Sequence, residues 1–309
     1  MSIISVVIPI LNEADNIREL YKRLALTFSG MGAAYEIIFV DDGSTDDSLH
    51  EIKLLSSADH HIRYLSFTRN FGHQIAIHAG IEHCTGDLMV IMDGDLQDPP
   101  EMIPSMVKKM EEHYEVVYAT RKERKEESLL KRFTASLFYR IMNRISDTEI
   151  PVDTGDFRII TAQVAEQLKI MKDRHKFIRG EVSWTGFKQA SIEYDREGRR
   201  SGKTNFSYRR MLSFAIDGIT GYSNAPLKFA TICGLLISIF SFLLIIYVLF
   251  SKLFLHEDLN GVTTILIAVL FLGGIQLLSI GIIGEYISRI NEQTRQRPLY
   301  IIRESNAKS

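Results

Sequence analysis

Two acidic clusters stand where short apolar runs end. In DGDLQDPPE, Asp93 and Asp95 follow DLMVIM directly and are one residue apart. Carboxylates so placed at the end of an extended run can share one cation, and hard oxygen ligands suit Mg2+ or Mn2+. Gln97 adds a further oxygen. Such an ion would neutralise the charge that builds on a diphosphate as a bond to it breaks. The plain alternative is a solvated turn closed by Pro99 and Pro100. In the second cluster, VDDGSTD, Asp41 and Asp42 are placed to accept a base N–H and ribose hydroxyls. Gly43 permits the turn, and Ser44 or Thr45 caps the helix that follows.

The other residue types with metal or redox chemistry point elsewhere. His73, His78 and His83 are five apart, which spreads them over different faces of a helix instead of stacking them as ligands. They read as helix-surface residues. Cys84 and Cys233 are far apart, the second within an apolar run, so neither a disulfide framework nor a cysteine zinc site is expected. Trp184 reads as core or interfacial packing. With 24% charged residues and a net charge of −2 over 309 residues, the composition excludes a disordered acidic tail and a uniformly basic nucleic-acid binder.

The elements that must carry these clusters alternate. SVVIPI, EIIFV, IRYLSF, DLMVIMD and VVYAT are short β-branched runs, and helical patterns lie near Asn16 to Phe28, Thr45 to Leu55, His73 to Cys84 and Pro100 to His113. This spacing predicts an α/β fold with a Rossmann-like, mostly parallel sheet covered on both faces. Ligands of such sheets bind at the carboxyl ends of the strands. NEADN, DDGSTD and DGDLQD fall there. No GxGxxG follows the first strand and no P-loop is present, which argues against a dinucleotide oxidoreductase and a P-loop NTPase. The opening MSIISVVIPILNE lacks the basic flank and cleavage site of a signal peptide.

Past the sheet the character changes. Phe229 to Phe250 and Val262 to Gly284 carry no formal charge, and each matches the roughly 20 residues that cross a bilayer. The connection KLFLHEDLN is short and mixed in charge, while Arg209, Arg210 and Lys228 flank one end and Arg289, Arg295 and Arg297 the other. The positive-inside bias then puts both flanks in the cytoplasm. The expected organisation is a cytoplasmic domain over 1–225, a two-span hairpin over 226–288 and a cytoplasmic tail over 289–309, all at the plasma (inner) membrane. Basic amphipathic segments near 129–146 and 208–222 would lie on the membrane surface. Gly273, Gly274, Gly281 and Gly284 would let a neighbouring helix, including one from a second copy, approach closely.

PILNE, VDDGSTD, FTRNFGHQ and DGDLQDPPE, followed by GDFRII, RGEVSWTGF and REGRRSGKTNF before two terminal spans, resemble family-two inverting glycosyltransferases of the glycosyltransferase A-type fold. Within them the chain is similar to bacterial polyprenyl-phosphate glycosyltransferases, related to dolichyl-phosphate mannose synthase. The resemblance implies a nucleotide sugar donor, UDP-glucose as the expectation, and a polyprenyl phosphate acceptor. It implies that Pro9, Asn12, Glu13 and Asp41 cradle the nucleotide, with Asp42 beside them. Asp93, Asp95 and Gln97 would form the metal and diphosphate site, and Asp156 would be the acidic residue near the acceptor. Arg121, Arg132, Arg199 and Arg200 would contact phosphate. Where the family often has Gly-x-Ser/Thr-Lys-Tyr, this chain has Gly202, Lys203, Thr204, Asn205 and Phe206. Asn205 cannot supply the charge, which Lys203 or Arg200 is expected to provide. A phosphate monoester, with a second pKa of about 6, arrives already ionised, so Asp156 is expected to position substrate more than to act as a base. A processive polysaccharide synthase would show more spans and a QxxRW motif, and neither is visible. A non-catalytic sugar-binding membrane protein would not require Asp93, Asp95 and Asp156 together.

Overall fold

The structure is a computed structural model, and it describes residues 3–121, 154–194, 225–250 and 261–307. The segments near 129–146 and 208–222, with Arg132, Arg199, Arg200 and Lys203, lie outside the described residues. The chain divides into two compact units, one of 1–143, 148–208 and 297–309 and the other of 144–147 and 209–296.

The first unit is built on an eight-stranded sheet. Strands β1 (Ile4–Ile10), β2 (Tyr35–Asp41), β3 (Ile62–Phe67), β4 (Leu88–Ile91) and β5 (Val116–Arg121) alternate with helices α1 (Ala14–Met31), α2 (Ser48–Ala58), α3 (His73–His83) and α4 (Ile103–Met110). Then come β6 (Thr154–Thr161), α5 (Ala162–Ile170), α6 (Ile178–Trp184), β7 (Gln189–Tyr194) and, beyond the second unit, β8 (Ile302–Ser305). The strand order is β7-β5-β6-β4-β1-β2-β3-β8. Its centre, β4-β1-β2-β3, is parallel. The strand β6 runs antiparallel between β4 and β5, and β8 is antiparallel to β3.

Every residue of β1 is buried, which is what a strand covered on both faces requires. On one face, Ile17, Leu20, Leu24 and Phe28 of α1 recur at helical spacing and are fully or almost fully buried against Ile8, Ile10, Ile37 and Phe39. Burial of each such side chain contributes about 1.5–3 kcal/mol. On the other face α3, α5 and α6 cover Val7, Ile38, Val40, Ile91 and Ile160. The helix α3 comes close because position 80 is glycine: a Cβ there would lie 2.2 Å from Val7 Cγ1.

The sequence reading leaves 289–309 as a tail. The chain instead returns to the sheet, with Ser305, Glu304 and Ile302 in register with Leu65, Ser66 and Phe67 of β3. Lys53 pairs with Glu304 at 2.7 Å, and Tyr300 stacks on Phe67 and donates its hydroxyl to Glu82 on α3. A charged four-residue strand carries no apolar alternation, so nothing in its own residues announces it.

The second unit contains α7 (Ala225–Phe250) and α8 (Val262–Thr294), of 26 and 33 residues. At about 1.5 Å per residue each exceeds the roughly 30 Å of a bilayer's hydrocarbon. Phe229, Leu235, Phe240 and Phe242 on α7 and Phe271, Leu277, Ile280 and Ile287 on α8 are exposed. Among the described residues Phe271–Thr294 is long and apolar enough to cross a membrane, and Leu227–Leu243 is a shorter apolar run.

Candidate active site

The acidic clusters stand at the carboxyl ends of β4 and β2, on either side of β1 in the parallel sheet. Register brings the key pair together. In the antiparallel β4–β6 ladder Ile91 pairs with Arg158; Asp93 follows two residues after Ile91, just past the end of β4, and Asp156 precedes Arg158 by two. One side chain bridges them: His73 Nε2, from the first turn of α3, lies 3.2 Å from Asp156 Oδ2 and 3.4 Å from Asp93 Oδ1.

The two carboxylates fare differently. Asp156 is buried and well supplied, since Arg179 Nε donates to Oδ1 at 2.8 Å and Gln74 Nε2 donates to Oδ2 at 2.9 Å. Burial alone would raise its pKa, but Arg179 and His73 hold it well below the ordinary carboxylate value. For Asp93, burial followed by repulsion from Asp156 and Asp95 outweighs the pull of His73 and pushes the pKa up. Asp93 Oδ1 is a buried oxygen with no hydrogen-bond partner. Its nearest cation is the His73 ring at 3.4 Å, and a buried carboxyl oxygen with that one long contact, on a group whose charge its neighbours disfavour, suits a further cation. The donor set of Asp93, Asp95 and Gln97 therefore fits a divalent metal. His73 is itself held protonated: burial lowers its pKa, yet Asp93 and Asp156 together raise it to about 9.

The loop that carries Asp95 is fixed from within. Asp95 Oδ1 accepts from Gln97 N at 3.1 Å, and Leu96 adopts φ 62 with its side chain buried. A left-handed leucine costs on the order of 1–3 kcal/mol, which burial of its side chain offsets. Asp98 closes the loop, accepting from Asp93 N at 3.3 Å and from Tyr194 Oη of β7 at 2.9 Å. Burial and the nearby Asp93 raise Asp98 to about 7.

Across β1 and β2 the edge is stitched by short polar side chains. Asn12, at φ 57, donates its N–H to Ser44 Oγ at 3.0 Å and accepts from Thr45 N at 2.8 Å. Glu13 N donates to Ser48 Oγ at 2.9 Å, and Glu13 Oε2 accepts from Asn16 Nδ2 at 2.5 Å. Asp41 accepts from Ser44 N at 2.9 Å and from Ser66 Oγ at 2.8 Å. Asp42 accepts from Phe71 N at 2.6 Å and Gly72 N at 3.0 Å. Both aspartates are buried. The hydrogen bonds they make close the loops after β2 and β3. Gly43, at φ +71, lies so near the 69–70 backbone that a Cβ would be 2.5 Å from the Arg69 carbonyl carbon. Pro9 is in β1, paired with Val40.

Of the expected phosphate contacts, Arg121 ends β5 in register with Tyr194, and the other four lie outside the described residues. The histidine reading needs correction. His78 is 1% exposed, on the buried face of α3, and His73 belongs to the site. Spacing along a helix does not reveal which face the sheet covers. The signal that would have found His73 and Gln74 is their place directly after the loop at the carboxyl end of β3. Arg179 was legible only as part of RGEVSWTGF. Trp184, expected in core or interfacial packing, is 66% exposed and so lies outside the core.

Comparison with known proteins agrees over the whole chain. Residues 5–169 match glycosyl transferase family 2, and residues 225–290 match the GtrB C-terminal hairpin. An uncharacterized glycosyltransferase of Bacillus subtilis, YkcC, is 44% identical over 97% of this chain and 93% of its own. The prophage bactoprenol glucosyl transferase homolog of Escherichia coli is 38% identical over 97% of this chain and 98% of its own. The bactoprenol glucosyl transferase of Shigella phage SfII is 38% identical over 98% of each chain.

Proposed function

Because the chain belongs to glycosyl transferase family 2 and carries a GtrB C-terminal hairpin, we propose that it moves glucose from UDP-glucose to a polyprenyl phosphate at the cytoplasmic face of the membrane. The near-full-length likeness to bactoprenol glucosyl transferases supports the sugar and the lipid. The observation that carries the chemistry is the asymmetry of two neighbouring carboxylates: Asp156 is held by Arg179, Gln74 and His73, while Asp93 Oδ1 has only the longer 3.4 Å contact with His73.

In the reaction a phosphate oxygen of the acceptor attacks the anomeric carbon, the bond from that carbon to the diphosphate breaks, and its electron pair leaves with UDP. The displacement inverts the anomeric centre. Asp93 and Asp95, with Gln97, would hold Mg2+ or Mn2+, which offsets the charge developing on the leaving diphosphate. The acceptor's second pKa is about 6, so the nucleophile needs no strong base. A carboxylate held as low as Asp156 is also a poor proton acceptor. Asp156 instead orients Arg179 and His73, which present positive charge where two anions must meet. Asn12, Glu13, Asp41 and Asp42 shape the nucleotide pocket through the loops they hold, beside Pro9. Arg121, Arg132, Arg199, Arg200 and Lys203 supply charge to the acceptor phosphate.

The test offers radiolabelled nucleotide sugars to membranes containing the protein, with polyprenyl phosphate and either Mg2+, Mn2+ or EDTA. Label from UDP-glucose enters the lipid phase and EDTA abolishes the transfer. Label that stays in the aqueous phase with every donor sinks the assignment.

A further inference from the structure

We propose that Gln74 is a positioning residue of this site, whose amide joins Asp156 to the helix that presents Arg179. Its Nε2 donates to Asp156 Oδ2 at 2.9 Å, and its Oε1 accepts from the N–H of Ile178 at 2.9 Å. Ile178 opens α6, a helix whose preceding residue, Phe177, makes no side-chain cap. The first N–H groups of a helix have no partner within it, and here α3 supplies one from outside. The next residue, Arg179, grips the other oxygen of Asp156 at 2.8 Å. Both oxygens are thus held by adjacent arms, and Gln74 touches the carboxylate and the base of the second arm together.

The chemistry restricts what can stand there. A carboxamide offers a donor and an acceptor on one carbon in fixed order. Glutamate keeps the acceptor for Ile178 but sets a second carboxylate against Asp156. Methionine keeps the bulk and loses both bonds. Asparagine keeps the order and is one methylene short. A buried carboxylate deprived of a donor is costly and shifts toward whatever donor remains, so the guanidinium of Arg179 moves with it.

The inference rests on the transfer reaction proposed above, so the full chain in membranes must first transfer label. If it does not, that reading fails and Gln74 is untouched by the result. In a transferring preparation, Gln74→Glu, Gln74→Met, Arg179→Lys and the Gln74→Met/Arg179→Lys double variant are compared. The readouts are kcat, KM for the nucleotide sugar, the share of donor lost to water, and melting temperature. Gln74→Glu is expected to lower kcat about a hundredfold, with KM within twofold, a larger share of hydrolysis and a melting temperature close to the parent. Gln74→Met lowers the melting temperature further while retaining more activity than Gln74→Glu. The double variant loses no more than the worse single change, as for residues acting on one carboxylate. A purely structural role predicts that activity follows melting temperature and that methionine is the more harmful. That order, additive losses, or a Gln74→Glu enzyme with unchanged kcat overturns the proposal.

Discussion

Asp156 and Asp93 share His73, yet their other neighbours supply a cation to one and leave the other short. Asp156→Asn keeps the shape and loses the charge that organises Arg179 and His73. Its kcat is expected to fall about a hundredfold, while Asp95→Ala, which removes an oxygen of the proposed metal site, falls further. Single-turnover rates at saturating donor compare the two, and equal, total loss in both would contradict the positioning role. His73 gives a pH signature in metal-free protein. Its folded pKa of about 9 lies above the model-peptide 6.5, so its pairing favours the fold fully below pH 6.5 and that gain is lost as pH rises through 9. The melting temperature in EDTA should decline over that window, and the decline should flatten in His73→Gln. The acidic half of the site was legible in the sequence because Asp93 and Asp95 end an apolar run. The other half was not, because His73 and Gln74 of α3 and Arg179 of α6 are far apart in sequence and only the packing of those helices against the sheet brings them to Asp156.

At the scale of elements, β1 to β5 and α1 to α4 were legible for a physical reason: buried parallel strands read as unbroken apolar runs and their covering helices keep a helical period. The antiparallel insertion of β6 was hidden, since GDFRII looks the same whichever direction its neighbour runs. Helix α6, at seven residues, is too short to show a period. The loop after β2 makes a sharper prediction than either. Gly43→Ala must place a Cβ 2.5 Å from the Arg69 carbonyl carbon at φ +71, so the loops tied by Asp42 separate or the backbone shifts. A loss of about 1–3 kcal/mol from the dihedral alone, with the steric cost added, should appear as a lowered melting temperature and weaker nucleotide binding by titration of UDP. At the far edge Tyr300→Phe removes the hydroxyl bond to Glu82 but keeps the stack on Phe67. It should cost about 1 kcal/mol, measured as a smaller fall in melting temperature than Tyr300→Ala.

For the whole molecule, the hairpin sets where the chemistry happens. The proposed topology, drawn from the positive flanks alone, is open to a direct test: it expects residues 251–260 across the membrane from the catalytic unit. Asp258→Cys should react with a membrane-impermeant maleimide in intact cells, and Ala307→Cys only after permeabilisation. The reverse pattern would invert the topology and separate the site from cytosolic nucleotide sugars. The strand β8 then bears on how the protein is made. A chain that emerges from the ribosome in order has β1 to β7 available before the spans enter the bilayer, and β8 only afterwards. Until that moment the main-chain groups of β3 face an open edge, a template for pairing with other chains. The loop before His73 also lacks two of its ties, Thr68 N to Ile301 O at 3.0 Å and Arg303 to Thr68 O at 2.8 Å. A chain that stopped after the second span would lack β8 and both ties, leaving the β3 edge of the sheet unpaired.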